Sequence, residues 1–390
     1  MNGIVKNATK KSAKSAANSA VQLRPGCVED LDQLIAIEEA CFETDRLSKR
    51  SFLNFIKPGA HELMVLVDNK RVLGYVVLLY RAGTNLTRMY SLAVAPEAQG
   101  RGFSKRLLSA AEQSAQNHHC VFMRLEVNVH NLPAISLYKQ DGYRIIGTIK
   151  NYYENDDDAL RMEKRLHHHL GLERTITKPY YEQTTDFTCG PASLMMAIKT
   201  LQPDYEMSRH EELQIWREAT TIFMTSGHGG CSPHGMALSA WHRGFDVTLH
   251  INQEEAPFLD GVRDAQKKSV IQLVHEDFLA QIKETNIQLN ITMLEADELD
   301  RILQSGAPII ALISTWRLNR NKSPHWVYVA GADDEFVYIN DSDLDEDDPH
   351  ATQTDYIQVP IERQVFRDMA RFGQKRLRCL LVINGPREDA

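Results

Sequence analysis

Residues 90–108 (YSLAVAPEAQGRGFSKRLL) combine an apolar strand, a glycine-containing loop and the start of a helix. Glycine at positions 100 and 102 lets the backbone approach a ligand closely. The first turn of a helix has free N–H groups that favour negative charge. The segment therefore predicts a phosphate-binding turn, to which Arg101 adds a cation. An ordinary strand-to-helix turn is the alternative.

The bulk composition indicates a globular protein with more than one domain. The chain has 390 residues, of which 43% are hydrophobic and 25% charged, and two domains are the default at that length. A net charge of −8 argues against a nucleic-acid binder, and the absence of a long apolar run argues against a membrane span. The six scattered cysteines include no Cys-x-x-Cys pair, which favours free thiols in a reducing, cytoplasmic compartment.

Hydrophobic periodicity predicts a mixed α/β first half and an α+β second half. The first twenty residues are polar and rich in Ala and Ser, so 1–19 is expected to be a disordered tail. Expected domains are 20–166 and 179–388, joined by a polar linker at 167–178. Three consecutive histidines in that linker cannot all face one metal, so they are interpreted as solvated.

The predicted elements follow from apolar spacing and turn residues. In the first half, strands are expected at 21–25, 62–81 (a hairpin turning at Asp68-Asn69), 89–96, 121–129, 143–153 and 159–166, and helices at 27–42, 99–117 and 131–142. The helix at 27–42 should bury Leu31, Leu34, Ile35 and Ile37. In the second half a helix is expected at 189–201, with strands at 270–274, 308–314, 325–331 and 335–341. The acidic stretch 341–349 is interpreted as a solvated loop rather than a cation site.

Residues 121–142 contain groups suited to moving protons in catalysis. Strand alternation places Arg124, Glu126 and Asn128 on one face. A carboxylate such as Glu126 can accept a proton, and a tyrosine such as Tyr138 can donate one. The alternatives are a solvated strand residue at Glu126 and a packing aromatic at Tyr138. Asn131 can cap the helix that carries Tyr138.

The loop resembles the acetyl-CoA loop of the Gcn5-related N-acetyltransferases (GNAT), with Gln99, Gly102 and Ser104 at the motif positions. Serine departs from the usual Gly or Ala. The series LEV, NLPAISLYKQDGY and NYY is similar to the RimI type of protein N-terminal acetyltransferase. The resemblance implies a mixed twisted sheet with flanking helices, acetyl-CoA as cofactor, Glu126 as base and Tyr138 as acid. The implied cofactor-binding residues are Leu92, Ala93, Val94, Gln99, Gly100, Arg101, Gly102, Phe103, Ser104 and Asn131.

A second candidate site is built around Cys189, which stands at the start of a predicted helix. A helix N-terminus stabilises a thiolate, and Gln183 could donate to an oxyanion. If the strands 325–331 and 335–341 pair about a turn at 333–334, facing residues sum to 666. His325 and Asp341 would then be cross-strand neighbours, able to activate the thiol. Asn340 is the alternative to Asp341, and an inert buried thiol is the alternative for Cys189.

The Gln–Cys–His–Asp order resembles the papain-like fold of the C39 peptidases over roughly 179–388. The resemblance implies that Gln183, Cys189, His325 and Asp341 are the catalytic residues of a cysteine peptidase. The exporter that usually accompanies such domains is not visible in the sequence. The segment 227–244 also contains His228, Cys231, His234 and His242, but its Gly and Pro favour a loop entering a helix, and no metal is expected.

The sequence therefore predicts an acetyl-CoA-dependent N-acetyltransferase of protein or peptide α-amino groups that also contains a C39-like peptidase. A protein or peptide is the expected partner, with no nucleic acid and no membrane, and the oligomeric state is open. Two alternatives remain: a small-molecule amine acetyltransferase, and a C39-like half that only binds peptide.

Overall fold

The computed structural model describes residues 21–166, 179–220, 229–259, 262–320, 323–345, 348 and 350–387. The expected tail, the linker with its three histidines, and His228 lie outside the described residues. Both halves mix helices with β-sheet, so the predicted α/β class is confirmed.

The first sheet has seven strands in the order β1-β2-β3-β4-β5-β7-β6. It is mixed, because β4 pairs with β5 in parallel while β5 and β6 each pair with β7 in antiparallel fashion. Its strands are β1 (Gln22–Pro25), β2 (His61–Asp68), β3 (Arg71–Tyr80), β4 (Leu86–Val94), β5 (Phe122–Asn128), β6 (Arg144–Ile149) and β7 (Ala159–Arg165). The helices of this half are α1 (Leu31–Cys41), α2 (Lys49–Ile56), α3 (Phe103–Asn117) and α4 (Leu132–Gln140).

The second sheet also has seven strands, in the order β13-β12-β11-β10-β14-β8-β9. Its strands are β8 (Phe245–Ile251), β9 (Gln288–Ile291), β10 (Ile309–Ser314), β11 (Pro324–Ala332), β12 (Phe336–Asn340), β13 (Val359–Glu362) and β14 (Cys379–Pro386). The helices of this half are α5 (Cys189–Leu201), α6 (Arg209–Ala219), α7 (Pro233–His242), α8 (Ala265–Lys283), α9 (Ala296–Gln304), α10 (Trp316–Asn319) and α11 (Arg363–Met369).

Helix α5 is the central helix of the second half, because its residues from Cys189 to Ile198 are all buried. It packs against β11, and the Ser193 hydroxyl donates to the Trp326 carbonyl at 3.2 Å. A side chain at Gly190 would collide with Met236, since an added Cβ would lie 2.8 Å from its sulfur. The Cys-Gly pair therefore seats the start of α5 closely against its neighbours.

The prediction of a strand at 270–274 is wrong, because those residues lie inside α8. The buried side chains of α8 recur at helical spacing, and Leu273 within the apolar run is 62% exposed. A short apolar run does not distinguish a strand from a helix by itself. The buried residues of α8 are Ile271, His275, Phe278 and Ile282.

Two smaller predictions in the first half also need correction. Strand β2 ends at Asp68 and β3 begins at Arg71, so the hairpin turns at residues 69–70, with Asn69 at a φ of 56°. In α1, Ile35 is only half-buried, whereas Glu38 is buried and accepts a hydrogen bond from the Leu47 backbone at 2.7 Å. Glu38 is buried at a position where no apolar residue was needed, because its carboxylate satisfies the buried N–H of Leu47.

Two compact units can be distinguished by their internal contacts. The first contains the described residues up to Val77 together with Ser91–Ser109. The second contains Leu78–Tyr90 and the described residues from Ala110 onward, so it includes parts of both sequence halves. No helix in the described part of the chain is long and apolar enough to cross a membrane.

Gly74 in β3 provides a test of packing in the first unit. An added Cβ would lie 2.6 Å from the Ala93 carbonyl oxygen and 3.1 Å from a Leu107 methyl group. Gly74→Ala should therefore lower the free energy of unfolding by about 1–3 kcal/mol, measured by chemical denaturation. In the matched control Gly331→Ala, an added Cβ meets nothing within 4 Å, and a change within about 0.5 kcal/mol is expected. Equal effects of the two variants would contradict this account of β3.

Candidate functional site

The glycine loop after β4 has the backbone conformation that an anion-binding turn requires. Gly100 and Gly102 have φ values of 71° and 77°, which only glycine adopts without strain, and an added Cβ at either would meet nothing within 4 Å. Helix α3 begins at Phe103, directly after the loop. The Gln99 side chain donates to the Val94 carbonyl at 3.1 Å and so ties the loop to the end of β4.

Other residues predicted to bind the cofactor surround this loop in the sequence. Leu92, Ala93 and Val94 form the end of β4, and the Arg101 guanidinium lies 4.7 Å from the centre of the Phe103 ring. Asn131, in the second unit, caps α4 by accepting a hydrogen bond from the Ala134 backbone at 3.2 Å.

Glu126 lies on β5 as predicted, but it is not solvated. Its side chain is 4% exposed, and its Oε2 accepts a hydrogen bond from Arg88 Nε at 2.7 Å. Its other oxygen, Oε1, is buried and has no hydrogen-bond partner among the described residues. A buried carboxylate oxygen without a donor is costly to the fold, so this atom is available to a ligand donor such as an amine.

Arg88 extends the Glu126 site to the second half of the chain. This guanidinium, whose side chain is 2% exposed, donates to the Tyr152 hydroxyl at 2.9 Å and to the His350 carbonyl at 2.7 Å, and it lies 3.3 Å from Asp355. Burial alone would lower the pKa of Arg88, but Glu126 and Asp355 raise it above its ordinary value. The cation therefore persists and holds Glu126 in one orientation.

Tyr138 lies on α4 and is 8% exposed. Its ring centre is 5.7 Å from that of Tyr143, so it also has a packing role. Burial raises the pKa of Tyr138 to about 12. The phenol is consequently protonated at neutral pH and can serve as a proton donor.

The structure brings Cys189, His325 and Asp341 together. Cys189 is the first residue of α5, and it interacts electrostatically with the His325 ring. His325 Nε2 lies 2.7 Å from Asp341 Oδ1. That contact leaves the other ring nitrogen for Cys189, so the three side chains form a nucleophile, a base and an orienting carboxylate.

The charged groups of this cluster shift the pKa values of His325 and Asp341 in opposite directions. Burial opposes a charged imidazole, but Asp341 and Cys189 raise the pKa of His325 well above its ordinary value. Burial would likewise raise the pKa of Asp341, but His325 and Arg81 lower it below its ordinary value. An imidazolium between a carboxylate and a thiol is therefore the favoured state.

The predicted strand register is wrong, although His325 and Asp341 do meet. Tyr328 faces Asn340, and a bulge between Val329 and Gly331 shifts the register by one, so facing residues sum to 668 or 669 rather than 666. The turn spans residues 333–336 and is closed by a hydrogen bond from the Asp333 N–H to the Phe336 carbonyl at 2.9 Å. Asp341 is consequently a diagonal neighbour of His325 on the same sheet face, still within side-chain reach.

Gln183 does not present a free amide. Its Nε2 donates to Asp343 at 3.1 Å, and its Oε1 accepts from the Ser342 hydroxyl at 2.9 Å. The Gln183 backbone N–H also donates to the Ser342 carbonyl, so the segment around Gln183 is fixed beside the residues that follow Asp341. In this arrangement Gln183 connects the segment before α5 to the residues that follow Asp341.

Asn340 does not orient His325. This fully buried amide donates to the Pro179 carbonyl at 2.8 Å and accepts from the Gln358 backbone at 2.7 Å. Downstream of Cys231, the predicted loop enters α7, with Ser232 as its cap. His234 packs against His275 instead of forming a cluster, and the described residues include no group of three metal-ligating side chains.

Sequence reasoning missed the arginines. Arg88 and Arg124 stand in strands made mostly of apolar residues, and a buried cation requires a partner, so their positions were an available signal. Arg81, at the end of β3, donates to Asp341 Oδ2 at 2.6 Å. No local pattern identifies that partner, which is 260 residues away in the chain.

The models of two protein families match this chain. The model of the Peptidase_C39 like family matches residues 178–384, which is more than half of the chain, and the model of the Acetyltransferase (GNAT) family matches residues 31–143. The chain belongs to both families. Its first half is a GNAT domain with acetyltransferase activity, and GNAT acetyltransferases take the acetyl group from acetyl-CoA.

Curated relatives match the GNAT half. An N-alpha-acetyltransferase of Saccharolobus solfataricus is 28% identical over 155 residues, which are 37% of this chain and 92% of that protein. The candidate ribosomal protein bS18-alanine N-acetyltransferase of Bacillus subtilis is 32% identical over 139 residues, which are 35% of this chain and 89% of that protein. The similarity to RimI-like acetyltransferases is thereby confirmed.

Solved structures also match this half. The ribosomal-protein-S18-alanine N-acetyltransferase of Escherichia coli is 20% identical to this chain, with a TM-score of 0.34. The match covers 39% of this chain and 99% of that protein's chain. The Ard1 protein of Thermoplasma volcanium is 23% identical to this chain, with a TM-score of 0.35. The match covers 37% of this chain and 97% of that protein's chain.

The GNAT loop fits the pyrophosphate of acetyl-CoA. Gly100 and Gly102 both have positive φ and open space around an added Cβ, and α3 begins directly after them at Phe103. These features suit an anion held by backbone N–H groups. The loop belongs to the first unit, and Glu126 and Tyr138 belong to the second.

The C39-like cluster predicts an unusual pH dependence for Cys189. An ordinary thiol loses roughly 50- to 100-fold in its alkylation rate between pH 8 and pH 6, because it is protonated. Since His325 stays charged, Cys189 should lose less than about fivefold over that range. The measurement is the iodoacetamide labelling rate of the Cys189 peptide by mass spectrometry.

Two variants serve as controls for this measurement. His325→Ala should restore the steep pH dependence of an ordinary thiol, whereas Cys41→Ala, in the GNAT half, should leave the rate at Cys189 unchanged. Cys120 should stay unlabelled, because burial raises the pKa of its thiol to about 12. A steep pH dependence at Cys189 in the unmodified protein would contradict the ion-pair interpretation.

Proposed function

We propose that the GNAT half, residues 20–166, acetylates the α-amino group of a protein or peptide. The observation that carries this proposal is the buried Oε1 of Glu126, which has no donor while Arg88 holds Oε2. The named functions of the relatives in Saccharolobus solfataricus and Bacillus subtilis support a protein amine as the acceptor.

The proposed chemistry needs two proton transfers. Acetyl-CoA supplies the acetyl group as an activated thioester. Glu126 Oε1 takes the proton of the attacking amine, and the Tyr138 hydroxyl, protonated because burial raises its pKa to about 12, protonates the departing thiolate. Arg88 fixes the base, and the Tyr152 hydroxyl accepts a hydrogen bond from Arg88.

We also propose that the C39-like half, residues 179–388, is a cysteine peptidase or amide transferase. The Cys189–His325–Asp341 cluster supports a thiolate that attacks a carbonyl, with His325 then protonating the leaving amine. The six free cysteines suit a reducing compartment, so we propose a cytoplasmic location.

Glu126→Gln tests the acetyltransferase proposal. A diverse peptide pool is incubated with acetyl-CoA, and acetylated N-termini are counted by mass spectrometry. General-base catalysis contributes about 10²–10⁴ in rate, so the variant should lose at least about 100-fold in kcat/KM. Cys189→Ala should stay within twofold of the parent and serves as the matched control. Acetylation of added polyamines in preference to peptides would instead favour a small-molecule acceptor.

Cys189→Ala tests the peptidase proposal in the same pool. New peptide fragments should appear with the parent protein and with Glu126→Gln, and should vanish with Cys189→Ala, because the nucleophile is lost. Fragments that persist in Cys189→Ala would reject Cys189 as the nucleophile. Peptides retained by the protein but left uncut would favour a binding module that delivers substrate to the GNAT half.

A further inference from the structure

The Asp341 carboxylate is held by donors on both oxygens. Oδ1 faces His325 Nε2 at 2.7 Å and also accepts from the Asp343 backbone at 3.2 Å. Oδ2 accepts from Arg81 Nη2 at 2.6 Å. The Asp341 side chain is only 3% exposed, so the donors around it decide its orientation and charge.

Arg81 belongs to the GNAT half of the sequence, one residue past the end of β3. Its Nη1 donates to the Asp355 carbonyl at 2.8 Å, and its guanidinium lies 3.8 Å from the centre of the Tyr356 ring. The Tyr356 carbonyl in turn accepts the Asp341 N–H at 2.9 Å. Residues 355–356 therefore contact both Arg81 and Asp341 and fix the position of one relative to the other.

We propose that Arg81 is a positioning residue of the cysteine site, so that the reactivity of Cys189 depends on a side chain supplied by the GNAT half. The proposal rests on the cysteine function proposed above. Arg81 fixes Oδ2, which aims Oδ1 at His325 and keeps the carboxylate ionised. Without Arg81, Oδ2 is buried without its cationic donor, and such a carboxylate turns away or takes up a proton.

Several titratable groups face this cluster, and each bears on its pH dependence. Burial raises the pKa of Asp343, which also interacts with His325, Asp341, Asp186 and Arg81. Burial and the nearby Asp341 raise the pKa of Tyr180 above its ordinary value. Among the described residues, the titratable groups of this cluster are Cys189, His325, Asp341, Asp343, Asp186, Glu182, Tyr180, Tyr356, Asp345, Asp355 and Arg81.

The test is the pH profile of Cys189 alkylation in the full-length protein, with iodoacetamide as the probe. Arg81→Met should lower the labelling rate of Cys189 at pH 6 by about tenfold. It should also move the acid limb, the part of the profile where the rate falls towards low pH, to higher pH by about one unit. The sign follows because an Asp341 carboxylate that is no longer held towards His325 stabilises the imidazolium less, and a weaker imidazolium leaves the neighbouring thiol protonated up to a higher pH. Arg81→Lys, which keeps the charge, should recover most of the rate and the position of the limb.

A double-mutant cycle separates positioning from general loss of structure. In an Asp341→Asn background, Arg81→Met should add less than a twofold change, because the interaction it removes is already gone. The matched control is Arg243→Met, since Arg243 is 14% exposed, is paired with Glu211 and Glu218, and is remote from these contacts. That variant should leave the acid limb in place whatever it does to the melting temperature.

The outcomes distinguish failure of this inference from failure of the cysteine function. If Cys189 in the parent protein alkylates no faster than an ordinary thiol, both are overturned. If the parent is reactive but Arg81→Met keeps its rate and acid limb, only the role of Arg81 is overturned. The same holds if Arg81→Lys is no better than Arg81→Met, or if Arg243→Met moves the limb equally.

Discussion

The buried charge of Arg124 determines how one segment of the C39-like half meets the strands β4 and β5. Its guanidinium donates to the carbonyls of Thr354, Ile357 and Gln358 at 2.6, 2.6 and 3.2 Å, and its Nε pairs with Glu163. The Arg124 residue is 1% exposed, so these bonds offset the cost of removing a cation from water. The segment 354–358 is thereby held at one position.

Both candidate sites draw on that segment. Asp355 lies near Arg88, which holds the proposed base Glu126, while the Asp355 carbonyl and the Tyr356 ring hold Arg81. A small apolar cluster reinforces the same contact, with the Phe122 and Tyr338 ring centres 6.3 Å apart. Two sites with unrelated chemistry consequently share one structural support.

The elements that could be predicted are those whose signals are local. The glycine loop, the caps at Asn131 and Ser232, and the burial of α5 each depend on residues within a few positions of one another. Prediction failed where two local patterns compete, as in α8, whose short apolar run also suits a strand. It failed again at β11 and β12, because a single bulge changes a register that spacing alone cannot detect.

By itself, the sequence determined the identity of the chemical groups: a glycine loop, a carboxylate and a phenol in one half, and a thiol, an imidazole and a carboxylate in the other. Only the tertiary structure decided which partners these groups have. Glu126 is paired with Arg88, 38 residues away, and Asp341 with Arg81, 260 residues away. Such pairings arise because buried charges must find partners wherever the fold brings them, and no local spacing encodes that choice.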